Sequence, residues 1–204
     1  MAKELEATEK SDMNPADLHK GSGFALPSQH WYIAECKPTR ERTLRTMLQK
    51  SGYEAYVASQ METHYYKSRN KRQVEKVVIP SKIFVHTEAE NLMKILYEHA
   101  SIYRFMINRA VSSGSNGIRQ FAFVPEDQMQ QLRYVLGNAS NPVFLTAEDL
   151  VLNQRVRVMR GPLAGLDAFF MKKGHASYIV VKVEMGTRHY AFTEVPLEDI
   201  QVIK

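Results

Sequence analysis

The last quarter of the chain shows the pattern that most limits its fold. From residue 155 onward, short apolar runs alternate with turn residues, and none of them repeats with the 3.6-residue period of a helix. The runs are RVRVM, AFFMKK, SYIVVKVEM, HYAFTEV and IQVI. Closely spaced short strands of this kind are typical of a small β-barrel. We therefore predict an all-β C-terminal domain over residues 150–204.

The first hairpin of this predicted barrel is residues 155–170, RVRVMRGPLAGLDAFF. The period of two in a strand turns Val156 and Val158 inward and places Arg155 and Arg157 on the other face. Gly161 and Gly165 are expected to adopt positive φ, and Pro162 restricts its neighbour, so the turn is predicted to be rigid. The residues alone fit a plain barrel hairpin and a binding loop equally well.

Residues 29–137 combine helical and extended patterns. Apolar spacing predicts helices near residues 39–52, 88–99 and 125–137, with strands between them in the order β-α-β-β-α-β-α. This order is typical of an α+β domain in which helices pack on an antiparallel sheet. We interpret residues 138–149 as a linker and residues 1–28 as a disordered tail.

Two neighbouring stretches with different patterns come before the second predicted helix. Residues 67–76, KSRNKRQVEK, indicate a charged turn. Residues 77–87, VVIPSKIFVHT, predict one strand, in which Pro80 favours an edge or bulge position.

Composition limits the class of protein. Residues 29–140 carry sixteen basic and ten acidic side chains, which suggests an anionic partner such as nucleic acid. The single cysteine, Cys36, suits a reducing compartment, and no apolar run reaches the length of a membrane span. Residues 1–28 lack the apolar segment of a secretory signal. We predict a cytoplasmic protein without a membrane partner.

Enzymatic signatures are missing from the sequence. It contains no HExxH, no paired cysteines, no P-loop and no GxSxG. We interpret Cys36 as a buried strand cysteine and not as a nucleophile. The prediction is a non-enzymatic protein with no catalytic residues, no metal site and no cofactor.

Three segments together resemble a known family. They are HWYI at residues 30–33, VIPSKIFV at residues 78–85, and the hairpin of residues 155–170, which resembles a KOW motif. Along residues 30–204 the chain resembles NusG-type transcription elongation factors. It is most similar to the UpxY-like antiterminators of polysaccharide operons.

The resemblance implies an N-terminal domain that binds the clamp helices of RNA polymerase through an apolar patch. Such binding favours the closed elongating state and suppresses pausing and termination, here at specific operons such as those for polysaccharide synthesis. The corresponding residues are Tyr32, Ile79, Pro80, Ile83, Phe84 and Phe105. Ser81 and Lys82 stand where the family usually has Gly and Tyr.

Specialised relatives also contact the non-template DNA strand, and the family's KOW loops recruit a small-subunit ribosomal protein or the termination factor Rho. The candidate DNA-binding residues are Lys37, Arg40, Arg42, Arg45, Lys67, Arg69, Lys71 and Arg72. The candidate KOW partner-binding residues are Leu163, Leu166 and Met185. The alternative function is that of a ribosome-associated or RNA-binding KOW protein.

Overall fold

The computed structural model describes residues 29–65, 71–108, 120–148, 150 and 152–203. The N-terminal part contains β1 His30–Cys36, α1 Glu41–Lys50, β2 Glu54–Tyr56, β3 Ser59–Tyr65, β4 Lys71–Val77, β5 Lys82–Thr87, α2 Asn91–Glu98, β6 Ile102–Phe105, β7 Phe123–Val124 and α3 Glu126–Asn138. The C-terminal part contains β8 Phe144–Thr146, β9 Arg155–Val158, β10 Asp167–Lys173, β11 Ala176–Glu184, β12 Arg188–Glu194, a short 3₁₀ helix Leu197–Asp199 and β13 Ile200–Val202.

The N-terminal sheet is antiparallel, with strand order β2-β5-β1-β6 and with β7 also pairing with β1. Alternation along β1 divides its side chains between two apolar layers. Trp31 and Ile33 pack in the layer that contains α3, and Tyr32 and Ala34 pack in the layer that contains α1 and α2. The predicted α+β class and its three helices are confirmed.

Strands β3 and β4 form a separate two-stranded sheet, which we call the arm. Two sequence predictions are wrong here. Part of the predicted charged turn, from Lys71 onward, is strand β4, and the single strand predicted over residues 77–87 is interrupted by a turn at residues 78–81. Ser81, the last residue of this turn, has a φ of 59°, a value that an extended strand does not contain.

Ser81 supplies a stability prediction, because an L-residue in the left-handed region is strained. Its N–H donates to Glu41 Oε1 and its carbonyl accepts from the Cys36 N–H, and glycine keeps both bonds. Relief of about 1–2 kcal/mol of left-handed strain exceeds the entropy that glycine costs, so Ser81→Gly should raise the free energy of unfolding by about 0.5–1 kcal/mol, measured by denaturant titration. Ser101→Gly, in a turn without positive φ, is the control and should not stabilise. A lower unfolding midpoint for Ser81→Gly would contradict the strain argument.

The C-terminal domain is all-β, as predicted, with strand order β13-β9-β10-β11-β12-β8. Val156 and Val158 are buried while the arginines beside them are exposed, and Gly161 and Gly165 have φ of 82° and 88°. These local predictions are confirmed. Strand β8, however, lies within residues 138–149, so the stretch interpreted as a linker contributes a strand to the C-terminal sheet.

The two domains share one apolar core. Met129 and Leu132 of α3 belong to the same buried cluster as Ile179 and Val181 of β11. The C-terminal domain therefore packs on the α3 side of the N-terminal sheet, opposite α1 and α2.

Candidate functional site

The residues predicted to form an apolar polymerase-binding patch lie mostly in the core. Tyr32, Ile79, Ile83, Phe84 and Phe105 are all at most 5% exposed, and Pro80 alone among the six is exposed. The prediction of an exposed patch on an edge strand is wrong. Strand β5 lies between β2 and β1, and both faces of this sheet are covered by helices.

The loop between β1 and α1 carries two of the predicted DNA-binding cations. Lys37 and Arg40 are exposed there. Their backbone is fixed because the Lys37 N–H donates to the Ser101 carbonyl and the Arg40 N–H donates to the Lys37 carbonyl. Thr39 between them has a φ of 64°, which is strained for a β-branched residue. The loop therefore holds both cations at one corner of the sheet.

Arg42 and Arg45 are engaged by a carboxylate on the arm. Arg45 Nη1 lies 3.1 Å from Glu75 Oε1, and Arg42 Nε lies 3.3 Å from Glu75 Oε2. The Ser59 hydroxyl also donates to Glu75, at 2.6 Å. Partial burial acts to raise the pKa of Glu75, but the hydrogen bonds from Ser59 and Arg45 and the nearby arginine charges lower it overall. These arginines therefore attach the base of the arm to α1.

The remaining predicted DNA-binding residues belong to the arm. Lys71 and Arg72 are exposed neighbours on β4, so their side chains leave opposite faces of the two-stranded sheet. Lys67 and Arg69 lie outside the described residues. The structure thus places Lys37 and Arg40 together and keeps the arm cations as a separate group.

The predicted KOW partner-binding residues are not exposed. Leu163, Leu166 and Met185 are 4%, 6% and 0% exposed, so their prediction as exposed loop residues is wrong in this arrangement. All three belong to the core cluster that spans both domains. This cluster includes residues of α3 as well as residues of the C-terminal sheet.

We call the contacts between the two domains the domain interface. It includes two hydrogen bonds and one close backbone approach. The Tyr134 hydroxyl donates to the Ala164 carbonyl at 3.0 Å, and the Glu184 N–H donates to Gln128 Oε1 at 2.8 Å. At the β11–β12 turn, a Cβ on Gly186 would lie 2.9 Å from the Ile107 carbonyl oxygen. The domains are therefore joined by hydrogen bonds near Tyr134 and Gln128, and their backbones approach closely at Gly186.

Sequence reasoning missed the network that attaches α3 to the sheet. The Trp31 indole N–H donates to Glu126 at 2.7 Å, and the Arg133 guanidinium lies over the Trp31 and Tyr56 rings at 5.4 and 5.3 Å. Burial, partly offset by Arg133, raises the pKa of Tyr56 to about 12. The partners lie far apart in sequence, and only the acid in the first turn of α3 gave a local signal.

Two further findings concern the residues that the structure describes. In the described residues, no group of three or more His, Cys, Asp or Glu side chains is placed to hold a metal ion. None of the helices among those residues combines the length and apolar character that crossing a bilayer requires.

Comparison with protein-family models identifies the family of this chain. Residues 29–133, just over half of the chain, match the NusG family model, described as transcription termination factor nusG. The chain belongs to the NusG family. The match covers the α+β domain up to the middle of α3, and the KOW and UpxY-like resemblances lie beyond what it tests.

Comparison with individual proteins adds two findings about this NusG-family chain. A solved structure titled "Domain interaction in Thermotoga maritima NusG" is 15% identical, with a TM-score of 0.40 over 87% of this chain and 98% of that one. Among curated proteins, the search finds no match.

Proposed function

We propose that this NusG-family protein is a transcription elongation and antitermination factor that binds RNA polymerase through its N-terminal domain. The family match over residues 29–133 carries the proposal, because NusG-family proteins generally bind RNA polymerase. The UpxY-like pattern of the sequence supports action at specific operons. A purely ribosomal or RNA-binding KOW protein fits less well, since it would not need this α+β domain.

The polymerase contact, in this proposal, uses the α3 side of the N-terminal domain. The residues first predicted for the contact are core, so they shape the domain from inside. Phe123 and Tyr134 are 40% and 39% exposed and line two clefts at the domain interface, of about 260 and 510 Å³. Separation of the barrel would uncover more apolar surface around them, which is what docking on a helical partner requires.

Separation would also uncover the KOW partner-binding candidates. Leu163, Leu166 and Met185 are buried while the domains are packed together. Recruitment of a ribosomal protein or Rho through these side chains therefore requires an open arrangement. We propose that the packed state is the resting state, and that the factor acts on polymerase in the open state.

The test of the function is transcription in vitro with purified polymerase on the native upstream leader. The wild-type chain should lengthen transcripts by reducing pausing and termination. A Phe123→Ala, Tyr134→Ala double variant should lose most of this effect, whereas Phe144→Ala, at an exposed barrel position, should keep it. Unchanged pausing and read-through with the wild-type chain would refute the proposed function.

Lys37 and Arg40 are the proposed phosphate contacts for exposed non-template DNA. Their removal in Lys37→Ala, Arg40→Ala should weaken binding to single-stranded DNA and make its log–log salt dependence shallower by about 1.4, for two lost contacts. Fluorescence anisotropy over a salt series measures both effects. Lys172→Ala, Lys173→Ala removes the same charge from exposed barrel positions and serves as the control. Equal changes in the two double variants would show that only net charge matters.

A further inference from the structure

Gln60 of the arm contacts the segment that joins the two domains. Its side chain is 6% exposed, and its amide nitrogen donates to the carbonyls of Ala139 and Asn141 at 3.0 and 2.9 Å. Its amide oxygen accepts the Val143 N–H at 3.0 Å. One buried side chain thus hydrogen-bonds three backbone groups of residues 139–143. These bonds hold the segment in one position relative to β3.

The C-terminal domain holds the same segment from the other side. The Thr193 hydroxyl lies 3.3 and 3.2 Å from the carbonyls of Asn141 and Pro142, and the Asn141 side chain donates to the Glu194 carbonyl at 2.9 Å. Strand β8 then pairs with β12. The segment is therefore bonded to the barrel. Its start continues α3, where the Ala139 N–H donates to the Val135 carbonyl, and Gln60 connects the segment to the arm of the N-terminal domain.

Strand β3 is itself a fixed support for this attachment. Ser59, next to Gln60, donates to Glu75, which pairs with Arg45 of α1. A shift of the segment would consequently leave the buried Gln60 amide and its backbone partners without hydrogen bonds, and such groups are costly to leave unpaired.

We infer that Gln60 is a latch that keeps the barrel packed against the N-terminal domain. With the latch in place, the Glu184 N–H stays bonded to Gln128, and Leu163, Leu166 and Met185 stay buried. The regulatory meaning of that burial rests on the proposed function, whereas the latch itself is a property of the isolated chain.

Amide hydrogen exchange on the full chain tests the latch. Gln60→Met keeps the size of the side chain and removes its hydrogen bonds, so the Val143 amide should exchange faster. The deciding amide is Glu184, which is bonded to Gln128 at the domain interface and is not a partner of Gln60. It should exchange about tenfold faster, the change expected for the net loss of one hydrogen bond. Gln73→Met, at an exposed position of the arm, should leave both amides unchanged.

A second variant removes the hydrogen bonds that the barrel makes to the same segment. Thr193→Val removes the hydroxyl bonds to Asn141 and Pro142 at nearly constant volume, and it should also accelerate exchange at Glu184. It replaces Gln60→Met if that variant fails to fold. Faster exchange at Val143 with unchanged exchange at Glu184 would overturn the latch. Because no polymerase is present, this result is independent of whether the proposed function holds.

Discussion

Phe84→Asp is expected to unfold the N-terminal domain and not merely to weaken a partner contact. Phe84 is fully buried in the core cluster that also contains Trp31 and α3, beside the Tyr56 ring at 6.3 Å. The substitution removes a large aromatic side chain and places a carboxylate in its apolar site. The combined cost should exceed about 4 kcal/mol, a large part of the 5–15 kcal/mol that stabilises a typical domain.

Circular dichroism and denaturant titration of the full chain measure this effect. Phe123→Asp is the matched control, because the same change at a 40% exposed position of the same sheet should leave the domain folded. A folded Phe84→Asp variant with an unchanged unfolding midpoint would contradict the burial. The two variants together distinguish loss of folding from loss of a polymerase contact, because only a folded variant can report on polymerase binding.

The sequence predicted the features that depend on neighbours along the chain. The three helices follow from apolar spacing, and the predicted range 39–52 ends at Gly52, which has a φ of 86° just after the end of α1 at Lys50. The glycines of the barrel hairpin adopt positive φ for the same local reason. The α+β and all-β classes followed from these local patterns.

Exposure could not be predicted in this way, because it depends on which layers come together. The alternating pattern of β5 does not reveal that helices cover both faces, so the prediction of Ile83 and Phe84 as surface residues is wrong. Ion pairs could not be predicted from the sequence for the same reason, because Arg42 and Glu75 are brought together only by the fold. Gln60 gave no signal, because its partners lie about 80 residues away in the chain.

Gly186→Asn is expected to separate the barrel from the N-terminal domain. Gly186 has a φ of 75°, and asparagine is one of the few residues that tolerate such values. The new Cβ would nevertheless lie 2.9 Å from the Ile107 carbonyl oxygen and 3.3 Å from Ala122 Cβ. Both neighbours belong to the other domain and are backbone or short side chain, so the clash is relieved most readily by moving the barrel away.

NMR spectroscopy distinguishes separation from local adjustment. The amides of Ala164 and Gly165 lie at the opposite end of the domain interface, near Tyr134, and should shift in Gly186→Asn. The rotational correlation time should also fall, because the two domains then tumble separately. Gly174→Asn is the matched control, since its φ is 62° and a Cβ there meets nothing within 4 Å. If Gly186→Asn tumbled as one body with unshifted Ala164 and Gly165, the turn would have adjusted locally, and the prediction that this clash separates the domains would be wrong.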